Sequence, residues 1–269
     1  MEGHRPTAIY SERFESALWQ TASLLLVGGG EAVAVDPCIT RDEVDAIAAR
    51  ARVTHVLVTH ADWDHVCGIA AFPDAVATMG VRTAEIVASG APAKQIEERA
   101  REYGIEVAGA PRVDRVLVPG ETYEVGPFAV ETLALPGHTP DGVGYRVRAP
   151  DVLAVGDYLS PVEFPFASAT ADYRATLAAL IDLLRHDPPG LVLPGHGRGL
   201  TPDEALAIAE ADLAYLLALR EAVAAGGRAA GLAVPLPRPA PPDLAEMRAA
   251  NVEAQIDEFA APHRSTSER

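Results

Sequence analysis

A chain of 269 residues with 49% hydrophobic and 22% charged side chains has the composition of a soluble globular protein, long enough for one large domain or one domain with an appendage. Its formal net charge of −16 disfavours polyanionic partners, which sets aside nucleic acid and anionic membrane surfaces. The first ten residues carry no apolar leader-like stretch, and no apolar run approaches the ~20 residues of a membrane span, so a cytoplasmic location is expected, with Cys38 and Cys67 reduced and buried.

Strand-like and helical runs alternate along the chain. Residues 24–27 and 31–35 flank Gly28-Gly29-Gly30 and predict a hairpin, which Asp36-Pro37 ends. Residues 41–50 predict a helix with Val44 and Ile47 on one face and Thr40 as its cap. The unbroken run 53–58 predicts a strand covered on both faces. Residues 80–89 and 93–103 read as helices. From 113 to 135 the pattern predicts a meander with turns at Pro119-Gly120 and Gly126-Pro127.

Residues 144–147 and 152–155 read as two further short strands. A helix over 171–185 follows, with Tyr173, Leu177, Leu180 and Leu184 at helical spacing, and then a strand over 191–193. Thr201-Pro202-Asp203-Glu204 is a helix start, combining a threonine cap, a first-turn proline and a glutamate three residues on. That helix is expected to end near Ala225, ahead of a Gly-, Ala- and Pro-rich linker over 226–242. A helix over 243–259 and a frayed tail over 260–269 complete the chain. The alternation predicts an α/β class with mixed sheets.

The segment Thr59-His60-Ala61-Asp62-Trp63-Asp64-His65 follows the 53–58 strand directly and packs two imidazoles and two carboxylates into six residues. Both are metal ligands, and this density suits two adjacent ions better than one. Three later elements share one design, a polar residue beside glycine after a short apolar strand: Gly137-His138-Thr139, Gly156-Asp157 and Gly195-His196-Gly197. Residues at strand ends beside such turns can converge at one edge of a sheet.

In these features, and in their order, the chain resembles the metallo-β-lactamase superfamily of metallohydrolases over about residues 15–200. The resemblance implies a four-layer αβ/βα sandwich with its metals at one edge of the two sheets. Residues 1–200 would form the catalytic domain, and 201–269 a C-terminal helical extension packed on it. It further implies two divalent ions, with zinc as the first expectation. His60, the Asp62 position and His138 would hold one ion. Asp64, His65 and His196 would hold the other, with Asp157 between them. Such a pair, about 3.5 Å apart, lowers the pKa of a shared water toward about 7, and the resulting bridging hydroxide attacks a carbonyl or phosphorus. Asp64 and Asp157 would be catalytic in this sense, and Tyr158 is a candidate to donate a hydrogen bond to an oxyanion.

One position departs from the family motif, which has histidine where this chain has Asp62. A carboxylate there lowers the formal charge of the site by one and shifts preference from zinc toward iron or manganese. In this respect the chain also resembles the flavodiiron proteins, which reduce oxygen or nitric oxide but need an electron-delivering flavin domain, so a diiron oxygen- or nitric-oxide-handling protein or an oxygenase of the same fold is the alternative expectation. The residues after 200 contain no phosphate-cradling loop for a flavin. A non-catalytic scaffold is disfavoured by the complete set of donors. The expected activity is therefore hydrolysis of a small-molecule ester, lactone, thioester or phosphoester by a monomer or homodimer.

Other residues carry weaker signals. Trp63 is read as a pocket wall or a core residue. The loop bearing Tyr158, Ser160, Glu163, Phe164 and Phe166 is the candidate for substrate contact. Arg198 is either a carboxylate binder or a surface cation, and Asp141 either orients a ligand histidine or marks a turn. His55 is read as a structural histidine and Cys67 as a small packed residue, while His4, His186 and His263 are given no role.

Overall fold

The computed structural model describes residues 10–239 and 247–260. Six strands build the first sheet in chain order: β1 (Tyr10–Glu15), β2 (Ala22–Gly28), β3 (Glu31–Val35), β4 (Val53–Val58), β5 (Val76–Gly80) and β6 (Arg115–Leu117). β1, β2 and β3 pair antiparallel, and β3 to β6 pair parallel. The second sheet holds β7 (Thr122–Val125), β8 (Phe128–Ala134), β9 (Val143–Val147), β10 (Val152–Ala154) and β11 (Leu191–Leu193). Its pairs are antiparallel except β10 with β11, so both sheets are mixed, as the alternation predicts.

Side-chain alternation explains why two sheets stack. Successive residues of a strand point to opposite faces. In β2, Leu24 and Leu26 join Val33, Val35 and Leu57 against Phe128, Val130, Tyr145 and Val147 of the second sheet. The intervening Leu25 and Val27 pack outward, under helices α1 (Arg41–Ala48), α2 (Trp63–Val66), α3 (Val81–Ala88) and α4 (Ala91–Tyr103). The outer face of the second sheet is covered by α5 (Thr170–His186) and α6 (Pro202–Ala233), with Val252 of α7 (Met247–Ala260) in the same core. Helices, sheet, sheet, helices is the four-layer α/β arrangement expected.

Several elements depart from the sequence reading for identifiable reasons. β1 reads Tyr-Ser-Glu-Arg-Phe-Glu, a polar edge strand whose charges hide its alternation. Gly80 is not the first residue of a helix but the last of β5 and the cap of α3. The segment 113–135 is not one meander, because β6 pairs with β5 while β7 pairs with β8. Pro119-Gly120 is thus the passage from one sheet to the other. The 201–225 helix continues to Ala233 through a kink at Gly227, where φ is 63° and ψ −153°, so part of the expected linker is helical. Of the 243–259 helix, the described part begins at Met247. His4, His263, the 240–246 segment and the tail after 260 lie outside the described residues.

Both cysteines are free and buried, and no described helix is long and apolar enough to cross a membrane. The inter-sheet core sets the spacing of the two sheet edges. Leu26 is fully buried there, so Leu26→Ala should destabilise the protein by about 2–5 kcal/mol in urea melts.

Candidate metal centre

Every predicted donor lies at the end of a strand or in the turn beyond it. His60 follows β4. Asp62 caps α2, a single helical turn beyond that strand whose second and third residues are Asp64 and His65. His138 lies beyond β8, Asp157 beyond β10 and His196 beyond β11. Two glycines make the close approach possible. Gly137 has a φ of 130°, and a Cβ there would land on the Tyr173 backbone; a Cβ at Gly195 would land on Asp157 Oδ1.

Asp157 lies at the middle of the cluster. Its Oδ2 is 3.1 Å from His138 Nε2 and 3.6 Å from His60 Nε2. Its Oδ1 is 3.0 Å from His65 Nε2 and 3.2 Å from His196 Nε2. On the first side, Asp62 Oδ2 is 3.5 Å from His60 Nε2 and 3.3 Å from His138 Nε2. On the second, Asp64 Oδ2 is 3.5 Å from both His65 Nε2 and His196 Nε2. Donors about 2.1 Å from a shared tetrahedral ion lie about 3.4 Å apart, which matches these spacings. His60 Nε2, His65 Nε2 and Asp157 Oδ1 are buried without a hydrogen-bond partner, so their lone pairs converge on space that suits cations. The residues therefore fit a pair of metal ions.

The outer nitrogens of the rings are all engaged. His138 Nδ1 lies 2.9 Å from the Phe166 carbonyl and His196 Nδ1 3.0 Å from the Trp19 carbonyl. A carbonyl only accepts, so both rings carry the proton on Nδ1 and turn the Nε2 lone pair inward. His60 Nδ1 is 3.0 Å from the Thr59 hydroxyl, and His65 Nδ1 is 3.0 Å from Asp36 Oδ2. Asp36 also accepts the Thr59 amide at 2.8 Å and the Thr59 hydroxyl at 2.6 Å. It fixes two of the four rings, one directly and one through Thr59, and the sequence reading used it only as a strand end. A second missed contributor is the Trp19–Thr21 corner. Trp19 and Gln20 have φ of 57° and 52°, and the Thr21 hydroxyl donates to Asp64 Oδ2 at 3.1 Å.

The electrostatics follow from burial and neighbours. Burial and His65 push the His60 imidazolium down, but Asp157 and Asp62 outweigh them and lift it to about 9. His196 is likewise lifted to about 9, as Asp157 and Glu163 overcome burial. Burial pushes His65 and His138 down as well, but Asp157, Asp64 and Asp36 raise His65, and Asp157 and Asp62 raise His138. Asp157 is held well below its ordinary value, because four imidazoles outweigh the cost of burial. Asp62, whose side chain is still 47% exposed, is held low by His138 and His60 against a partial loss of solvent. Glu163, 3.9 Å from His196, is pushed up to about 7 by burial and by Asp157 and Asp64, against the pull of His196.

Other expectations resolve by placement. Tyr158, expected to meet an oxyanion, points away from the cleft. Its hydroxyl donates to the Pro136 carbonyl at 2.7 Å behind the His138 turn, and the residue is 2% exposed. Trp63 is buried against Trp19 and Tyr103 while lining the cleft. Asp141 orients no histidine; it accepts the Ala61 amide at 2.9 Å, between His60 and Asp62. Arg198 is an exposed cation paired with Glu204. Partly exposed His55 bonds Thr54, and Cys67 is fully buried. The cleft over the donors, about 160 Å³, is walled by Trp19, Trp63, Phe166 and Met247, with Gln95 and Arg99 also lining it. A wider groove of about 500 Å³ between α5 and α6 contains none of these donors.

An α/β sandwich with this cluster at the sheet edges defines the class of metal-dependent hydrolases. The chain matches the model of the Metallo-beta-lactamase superfamily over residues 17–196. It belongs to that superfamily. It is 34% identical over 199 residues to a hydroxyacylglutathione hydrolase from Acidiphilium cryptum (strain JF-5), covering 70% of this chain and 72% of the relative. A metallo-beta-lactamase family protein from Thermus thermophilus superposes with a TM-score of 0.70 at 19% identity, covering 94% of this chain and 93% of that one. The protein TTHA1623, solved in a di-iron-bound form, superposes with a TM-score of 0.55 at 25% identity, covering 72% and 96%.

Two outcomes are expected. Asp36→Asn should lower metal affinity by about 10–100-fold in chelator competition, because the His65 ring and Thr59 lose their charged acceptor. In the metal-free protein the raised imidazoles contribute stability below their ordinary value of 6.5, and this is lost as pH rises through about 9. The depressed carboxylates contribute above their ordinary 3.8 and lose that only as pH falls below it. The Tm of chelator-stripped protein should accordingly fall between pH 6.5 and about 9.

Proposed function

We propose that this protein is a dinuclear metallohydrolase acting on a small acyl thioester or ester. The observation that carries the reading is the Asp157 carboxylate, whose two oxygens face two separate groups of inward-turned imidazoles. His60, Asp62 and His138 would hold one ion and Asp64, His65 and His196 the other, with the Asp157 carboxylate facing both groups. When bound, the ions supply Lewis acidity and a water activated for attack near neutral pH.

The residues of the chain do the rest. Asp36, Phe166 and Trp19 hold the ring protons of His65, His138 and His196 on the outer nitrogens. Thr21 orients Asp64, and Tyr158 supports the His138 turn through Pro136. Trp19, Trp63 and Phe166 shield the reacting carbonyl from bulk water. The thioester reading is supported by two relatives named as hydroxyacylglutathione hydrolases, at 34% and 32% identity. Asp62 adds a negative charge to the centre, which favours an uncharged acyl carbonyl over a phosphoester anion. Residues 1–200 form the catalytic domain in this reading and 201–269 the helical extension. The acidic chain acts in the cytoplasm, as a monomer or homodimer, on small molecules rather than nucleic acid.

Asp62 also bears on the metal. A carboxylate 3.3 Å from His138 Nε2 and 3.5 Å from His60 Nε2 is a harder donor than imidazole and favours iron or manganese over zinc. The superposed protein TTHA1623, solved in a di-iron-bound form, supports the fold's ability to hold two irons.

Protein expressed without added metal should carry two ions per chain and hydrolyse acyl thioesters, with activity lost to chelator and restored by metal. Metal-free protein that no divalent ion activates on thioesters or esters would sink the reading. Asp62→His should raise the zinc-to-iron ratio on metal analysis, and an unchanged ratio would exclude Asp62 as a ligand.

A further inference from the structure

Glu163 has no place in the donor set above. It lies between Asp157 and α5, and its side chain is one-tenth exposed. Its carboxylate makes no hydrogen bond among the described residues. One of its oxygens lies within 4.8 Å of donor atoms of both Asp157 and His196, and Oε2 is 3.9 Å from His196 Nε2. An ionised carboxylate buried beside Asp157 and Asp64 is strongly unfavourable unless a cation accompanies it. A side chain needed only for packing would be apolar here.

The backbone that carries it is held in place from two directions. The Ser160 hydroxyl accepts the Val162 and Glu163 amides at 3.2 and 3.0 Å. Arg238, which follows α6, donates to the Glu163 carbonyl and is itself paired with buried Asp212. These bonds turn the Glu163 side chain toward the cleft and leave its carboxylate free for an ion.

We propose that Glu163 is an eighth protein donor of the centre, completing the shell of the ion held by Asp64, His65 and His196. The proposal rests on the two-ion reading. It gives the centre four imidazoles and four carboxylates, and the extra oxygen donor favours a hard ion of higher coordination number, manganese or ferrous iron, over four-coordinate zinc.

Glu163→Gln keeps the size and removes the charge. Chelator-stripped wild type and variant are titrated with Mn²⁺ alone against a competing indicator, and each is melted metal-free and loaded. The wild type should bind two equivalents. The variant should bind the first with unchanged affinity and the second about 10–100-fold more weakly. Its metal-free Tm should equal or exceed that of the wild type, since a buried like charge is gone, while its gain in Tm on loading should shrink. Equal second-ion affinity in the two proteins overturns the proposal, as does an equal fall of Tm in both states, the mark of a packing role. A wild type that binds fewer than two ions overturns the two-ion reading itself and the proposal with it.

Discussion

The rest of the site is arranged around one carboxylate that faces two ways. Asp157 lies between His60 and His138 on one side and His65 and His196 on the other. Asp62, Asp64 and Glu163 close in around it. So much negative charge removed from water needs positive charge at the same place. Protons on the imidazoles supply it in the metal-free chain, and divalent ions are the other source. The two compete for the same Nε2 lone pairs, which ties metal affinity to pH.

The fold serves that constraint by dividing the work. The strand ends bring donors together from β4, β8, β10 and β11, which belong to both sheets. Each imidazole then has its outer nitrogen bonded to a group outside the metal-facing set: the Thr59 hydroxyl, Asp36, and the carbonyls of Phe166 and Trp19. Those bonds keep the outer proton in place, so only the proton on Nε2 has to leave when an ion binds. Binding then requires little rearrangement of the rings, which lowers its entropic cost.

The donors were readable in the sequence because their chemistry is carried by residue type. His60, Asp62, Asp64, His65, His138, Asp157 and His196 converge as their motifs imply. What was not readable acts through the backbone or across long distances. Phe166 and Trp19 contribute carbonyls, which every residue has, so no letter marks them. Asp36 looked like the residue that ends a strand, and its φ of 46° and three acceptor contacts appear only in three dimensions. The crossing at Pro119-Gly120 failed for a related reason. A turn signal shows that a strand stops, not which sheet the next strand joins. Polar β1 escaped because it is an edge strand whose partly exposed polar and charged residues mask the apolar alternation.

The loop that supplies Phe166 is gripped from far along the chain. Asn251 of α7 accepts the Ala167 amide at 2.9 Å and donates to the Pro165 carbonyl at 2.7 Å, bracketing the residue whose carbonyl orients His138. Arg238 holds the Glu163 carbonyl from the same side. The recognisable family sequence stops at residue 196. A chain cut there would keep all seven donors and lose these three bonds. The last family residue is therefore not the last residue of the site, and a boundary drawn by similarity alone would leave out part of its frame.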